Sequence, residues 1–148
     1  MGWWVDLDMS KLETPLTRRY WKNVGGTLIE EFPAVIKTDT NSRRLLDGVI
    51  ILGEDHVIAN ASDVEIEGKD IIVIQTKANR LGMYLMGQAF FSKELMKGFN
   101  PKSIRTVAIC GKDDSKMRSL SEKFGIEVIV YEDWTNMEQL LVLSVLKT

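Results

Sequence analysis

The chain has 148 residues, 45% hydrophobic and 27% charged, with 11 Gly and 3 Pro, a balance that excludes disordered, collagen-like and disulfide-stapled architectures. Nineteen basic against 21 acidic side chains leave a net charge of −2, which excludes a strongly basic, histone-like nucleic-acid binder and leaves room for a local basic surface. The single cysteine, Cys110, excludes an intrachain disulfide and a multi-cysteine zinc site, in keeping with a reducing cytoplasm.

One domain over residues 1–148 is expected at this length. Met1–Asp6 lacks the basic start and apolar stretch of a signal peptide, and no apolar run approaches the roughly 20 residues of a membrane span. The expectation is a cytoplasmic protein without a membrane partner.

In chain order, Leu12 to Val24 reads as a helix opening at Thr14-Pro15, with Leu16, Tyr20 and Val24 at four-residue spacing and Gly25-Gly26 as its stop. Thr27–Phe32 reads as a short strand ending at Pro33, with Ala34–Lys37 continuing it past a bend. Thr38–Arg44 is a polar loop, and Leu45–Leu52 has a buried-strand pattern. His56–Asn60 is a weak strand candidate. Val64–Glu67 alternates with period two, and Gly68-Lys69 is a turn into Asp70–Ile74, so a hairpin is predicted. Leu81–Lys97 is a long, largely apolar helix closed by Gly98 and Pro101. Thr106–Cys110, Asp113–Phe124 and Ile126–Tyr131 then give strand, helix and strand, the spacing of a right-handed crossover between parallel strands. Thr135–Glu138 fits a capping box opening a C-terminal helix at 135–148. The predicted class is α/β, a mixed central sheet with helices on both faces.

The chemistry concentrates in Ile71–Lys77. Four apolar residues cover both faces of this strand, and Gln75 and Lys77 then follow two apart, on one face. Burying an amide and an ammonium there requires partners. Asp47 opens the other apolar strand, and antiparallel pairing of the two strands brings it beside Gln75 and Lys77. A carboxylate, an amide oxygen and a backbone carbonyl suit a hard cation such as Mg²⁺, while a lysine neutralises phosphate charge or helps deprotonate water.

These residues, Arg43-Arg44-Leu45-Leu46-Asp47-Gly48-Val49-Ile50 and Ile72-Val73-Ile74-Gln75-Thr76-Lys77, resemble the PD-(D/E)xK nuclease-like superfamily, the restriction-endonuclease-like fold, in the Gln-x-Lys variant of its Mrr-type branches. The resemblance covers Leu12 to Tyr131. It implies a divalent-metal-dependent endonuclease that hydrolyses phosphodiester bonds, with DNA as the expected substrate and Mg²⁺ or Mn²⁺ as cofactor. Asp47, Gln75 and Lys77 become the catalytic residues, and Asp47, Gln75, the Thr76 carbonyl and Glu31 the metal ligands. Two departures stand out: Leu46 replaces the proline before Asp47, and Gln75 replaces the acid of the triplet, leaving Glu30 or Glu31 to supply the missing charge. Arg43, Arg44 and Arg80 are candidate phosphate contacts.

Tyr84 and Gln88 lie one helical turn apart, but core packing for Tyr84 and solvent exposure for Gln88 explain them better than a site role. His56 has no nucleophile partner, and Gly111-Lys112 lacks the rest of a P-loop. Trp3 and Trp4 need cover, and the last helix is apolar on nearly every side, which predicts a homodimer through it. The alternative function is a catalytically inactive relative acting as a nucleic-acid-binding or regulatory module. A third reading, a protein-interaction domain using Trp3, Trp4 and the last helix, predicts no nucleic-acid affinity at any salt concentration.

Overall fold

Leu12, Leu16 and Tyr20 recur every fourth residue, and this stripe is buried (0%, 0% and 6% exposed) along helix α1, Gly2–Val24. The computed structural model describes residues 2–133, with side chains from Leu12 onward. The helix starts well before Thr14-Pro15 and carries Pro15 in its interior. A proline there removes one backbone hydrogen bond, and the stripe on either side of it packs the helix to the sheet regardless.

Gly25 and Gly26 turn the chain with φ of +88° and +79°, values that suit residues without a side chain. Trp21 closes the turn by donating its indole N–H to the Gly26 carbonyl at 2.7 Å. Strand β1 (Thr27–Val35) and strand β2 (Arg44–Ile51) follow. Pro33 lies inside β1, paired with Leu45, and the register shifts between Pro33 and Val35. The strand sits at the edge of the sheet, where a missing N–H is tolerated.

Strand β3, Asp70–Arg80, contains Ile71, Ile72, Val73 and Ile74, all 0% exposed, as a strand covered on both faces requires. Then come α2 (Met83–Met96), β4 (Ser103–Lys112), α3 (Ser115–Lys123) and β5 (Ile126–Val130). Asp114 caps α3 by accepting from the Met117 N–H at 3.1 Å. The order in the sheet is β1-β2-β3-β4-β5, antiparallel from β1 to β3 and parallel from β3 to β5. On one face α1 packs over Leu28, Ile50, Ile72 and Ile74. On the other, Met96 of α2 meets Ile29, Val49, Ile71 and Val73, while Leu85 and Ala89 of the same helix meet Ala108 and Val128. Over the described residues the fold is thus mixed α/β, with a five-stranded sheet between helices on both sides.

Two expected strands are absent. Residues 64–67 form no strand and no hairpin with β3, because both edges of β3 are already taken by β2 and β4. Their alternation serves burial instead: Ile66, 6% exposed, joins Val73 and Met96 in the core. The segment His56–Asn60 contributes one isolated parallel bridge, from Ile58 to Leu28 of β1. The expected helix at 135–148, and with it the expected homodimer, lies outside the described residues, as do the side chains of Trp3 and Trp4. Among the described residues no helix is long and apolar enough to cross a membrane.

A Cβ at Gly26 would stand 2.5 Å from the Ile51 carbonyl oxygen, at a φ that costs a side-chain-bearing residue about 1–3 kcal/mol. Gly26→Ala is expected to lower stability by about 2 kcal/mol or more in urea denaturation. Gly53→Ala has open space around its Cβ and is expected to cost only the φ penalty.

Candidate functional site

The site forms where β2 leaves β3. The two strands pair only from Gly48–Ile74 to Ile51–Ile71. The earlier half of β2 stays with β1 through Leu46–Phe32 and Leu45–Pro33. Beyond Ile74, the backbone groups of β3 facing that side lose their strand partner and require another acceptor. Asp47 supplies it: the Thr76 N–H donates to Asp47 Oδ2 at 2.8 Å. In an extended strand the N–H and C=O of one residue point toward the same neighbour, so the Thr76 carbonyl also faces the gap.

The Thr76 side chain ties this point to α1. The Thr17 hydroxyl donates to the Glu13 carbonyl at 3.0 Å, leaving its lone pairs to accept from the Thr76 hydroxyl at 2.7 Å. Both threonines are buried, at 2% and 0% exposure. The clamp sets one helical turn of α1 over the gap, and a cleft of about 330 Å³ opens there, lined by Glu13, Thr14, Thr17, Glu30, Glu31 and Asp47. Glu30 is neutralised by Arg18 through two bonds of 2.7 and 2.8 Å.

Asp47 reaches this cleft through a change of face. Strict alternation from Ile51 and Val49, which lie on the α2 side, would put Asp47 there too; instead Leu46 occupies the α2 side and Asp47 lines the α1-side cleft. Strand β1 makes the same change. Ile29 and Phe32, three apart, both pack on the α2 side, and between them Glu31 takes a left-handed φ of +51°. The register holds across this point, Glu30 with Gly48 and Phe32 with Leu46, so no residue is inserted and the two strands change face together, at Glu31 and Asp47.

The carboxylates are electrostatically coupled. Burial pushes the Asp47 carboxyl above its ordinary range; the Thr76 N–H and the Lys77 charge oppose the rise, and Glu31 adds to it. Burial also raises Glu13, against Lys77 and the Ala78 N–H, with Asp47 adding to the rise. Lys77 therefore acts on both acids from the tip of β3, where its Nζ lies 5.3 Å from the centroid of the Tyr84 ring.

Of the residues expected from sequence, Asp47 and Glu31 line this cleft and the Thr76 backbone closes it, while Lys77 shares the strand face of Gln75, with its Nζ near the Tyr84 ring, and reaches Asp47 through its charge. Gln75 does not share the cleft. It is buried on the α2 side, donating its amide N–H to Ser92 Oγ at 2.7 Å, and it lines a different cleft with Tyr84 and Gln88. The reason is the face change: Gln75 keeps the alternation of β3 while Asp47 breaks that of β2. Arg44 borders the Gln75 cleft, Arg43 is exposed in the preceding loop, and Arg80 donates to the Asp113 carbonyl at 2.8 Å. Tyr84 and Gln88 reverse their expected roles, for Tyr84 is 71% exposed whereas the Gln88 Oε1 is buried without a partner. His56 is exposed, stacked on Trp21 at 4.2 Å.

Sequence reasoning missed Glu13 and Thr17. Their signal was there: polar residues four apart, directly following the buried Leu12 and Leu16. The donor set at the gap is all oxygen, two or three carboxylates and a carbonyl, which fits a hard divalent cation. Among the described residues no three His, Cys, Asp or Glu side chains group closely enough to cage a metal by themselves. A cation here would take ligands from substrate or water as well, the habit of Mg²⁺.

Thr17→Val keeps the shape but leaves the Thr76 hydroxyl without its acceptor, at an expected cost of about 1–3 kcal/mol. The Thr17→Val/Thr76→Val pair is expected to recover part of that loss, read as a non-additive double-mutant cycle in urea. Because Asp47 and Glu13 have raised folded-state pKa values, their contribution to stability is present at acid pH and is lost as pH rises from the ordinary carboxylate range through the raised values. Asp47→Asn keeps an acceptor for the Thr76 N–H and removes the charge. Its stability relative to the parent is expected to improve between about pH 4 and about pH 7, measured by urea unfolding at both. Compared with family models and with curated proteins, the chain matches none.

Proposed function

We propose that this chain is a divalent-metal-dependent nuclease of the restriction-endonuclease-like, PD-(D/E)xK type, hydrolysing nucleic-acid phosphodiester bonds, with DNA as the favoured substrate. The observation that carries the reading is the Thr76 N–H held by Asp47 at the point where β2 and β3 part, with Lys77 next in the chain. The run of α1, three antiparallel strands, α2 and a parallel β4 supports the fold-family resemblance as well.

Asp47, the Thr76 carbonyl, and Glu13 or Glu31 would hold Mg²⁺ or Mn²⁺. Such an ion polarises a phosphoryl oxygen and lowers the pKa of bound water. Asp47 keeps Oδ1 for that role while Oδ2 is fixed by the backbone. Burial raises the Asp47 pKa, so cation binding and proton loss are linked there. Lys77 sets a positive charge beside both acids, suited to neutralising charge that develops on phosphate. Glu13 takes the place of the acid that Gln75 lacks.

One observation favours a catalytically inactive relative. Gln75 is engaged by Ser92, and without it the cleft rests on Asp47 and on glutamates from α1 and β1. The same experiment separates the two readings. Isothermal titration with Mn²⁺ is expected to show a site that is lost in Asp47→Ala. Cleavage of labelled DNA in Mg²⁺ is expected to fall at least about 10²-fold in both Asp47→Ala and Lys77→Met. Nucleic-acid binding that weakens with salt, without cleavage in either Mg²⁺ or Mn²⁺, would favour the inactive relative.

A further inference from the structure

The far side of the same strand junction carries a second cleft, of about 580 Å³, between the start of β2 and the outer face of α2. Leu46 and Gln75 line it, the immediate neighbours of Asp47 and Thr76, so the two clefts sit back to back across the tip of β3. Lys77 lies at the same tip: its ammonium stands 5.3 Å from the centroid of the Tyr84 ring, and its charge acts on Asp47 and Glu13.

The lining of this cleft is unusual in three respects. Two aromatic side chains stand open on it, Tyr84 at 71% and Phe91 at 65% exposure, each a large apolar plane left to solvent. Between them, at Gln88, an amide oxygen is buried with no hydrogen-bond partner, a state that native structures rarely leave unrelieved. Beneath it lies a built polar floor, the Gln75 amide bonded to Ser92 Oγ, with both residues buried. Arg44 adds a cation at the rim. A purely apolar partner would leave the amides unanswered, and a free phosphate would leave the rings unanswered. The neighbouring groove along α2 and α3, lined by Met86, Phe90, Leu120 and Phe124, offers no such mixture.

Aromatic planes, an amide edge and a nearby cation are the recognition set for a nucleobase in a single strand. We propose that this cleft receives an unpaired nucleobase of the substrate strand. It stacks against Tyr84 and Phe91, while its exocyclic amine donates to the Gln88 amide oxygen, whose terminal torsion is soft enough to turn into the cleft. Lys77 neutralises the adjoining phosphate. The substrate class is therefore a nucleic acid with unpaired nucleotides, such as a single strand, a flap or a fork, rather than a continuous duplex. This inference rests on the nuclease reading for the role of the phosphate side, but the binding of the base stands on the cleft alone.

The test is fluorescence anisotropy with the metal chelated, using a labelled single strand, a forked duplex, a blunt duplex of the same sequence, and a nucleoside monophosphate as competitor. The single strand and the fork are expected to bind more tightly than the blunt duplex. Tyr84→Ala and Phe91→Ala are each expected to weaken single-strand binding about 5- to 150-fold, leaving blunt-duplex binding and Mn²⁺ titration at Asp47 unchanged. Both side chains are exposed, and far-UV circular dichroism melts are expected to match the parent. Gln88→Leu is expected to lose preference for adenine and cytosine over thymine.

Unchanged single-strand binding in both aromatic variants, with cleavage still dependent on Asp47, would overturn the base cleft and leave the nuclease reading intact. Aromatic-dependent binding with no Asp47-dependent cleavage would do the reverse. A monophosphate that competes as tightly as the strand would overturn the assignment of a strand as ligand. Concentration-dependent self-association that vanishes in Phe91→Ala, with strand binding unaffected, would make this face an interface between copies and overturn the proposal.

Discussion

A backbone N–H at the end of a strand pairing cannot be left without an acceptor in a buried place, and the site grows from the way this chain meets that requirement at Thr76. β2 keeps its pairing with β1 and gives up its pairing with β3 at Gly48. The freed Thr76 N–H is taken by the Asp47 carboxylate. One hydrogen bond thus terminates the ladder, fixes a carboxylate rotamer and leaves an oxygen turned toward the gap.

The threonine pair extends the same logic to the helix. Because Thr76 Oγ1 reaches Thr17, and Thr17 reaches the Glu13 carbonyl, the strand tip and one turn of α1 are held together by groups with no better partner in the dry space between them. Chains of this kind strengthen their members in a low-dielectric interior. The cost appears in the charges. Asp47 and Glu13 are held above their ordinary pKa range by burial, a destabilising arrangement that a purely structural corner would avoid. Perturbed carboxylates gathered in a cleft beside a lysine are a common mark of functional sites. Stability given up at such a point has to be met elsewhere, and here the core strand of four fully buried residues, Ile71 to Ile74, is the place that can meet it.

The two clefts at the tip of β3 differ in chemistry because the sheet separates them. On the α1 side lie carboxylates and hydroxyls; on the α2 side lie amides and aromatic rings. What assigns residues to the two sides is the paired irregularity in β1 and β2, the left-handed Glu31 and the face change between Leu46 and Val49. Without it Asp47 would share a side with Gln75, and the gap would have no acceptor of its own.

The residues alone determined a good deal of this. Four consecutive apolar residues before Gln75 required a central strand, Gly25-Gly26 marked the end of α1 while Thr14-Pro15 did not mark its start, and the strand-helix-strand spacing at the end required parallel pairing of β4 and β5, since such a crossover has one favoured hand. The same patterns allowed an antiparallel approach of Asp47 to the end of β3, and the sheet decided it. Which face each side chain occupies did not follow. Period-two alternation is a local rule, and it carries Gln75 correctly, but the left-handed turn of the backbone at Glu31 breaks it, and that break depends on how β1 and β2 bend together across the sheet. For the same reason Val64 and Ile66 alternate like a strand yet form none, because whether a segment pairs depends on whether a sheet edge is free to receive it. Glu13 and Thr17 were legible as a polar pair on a helix and nothing more. Only the packing of α1 against β3 brought them over Asp47, because a contact across more than 30 residues of sequence is decided by the tertiary fold and by no local pattern.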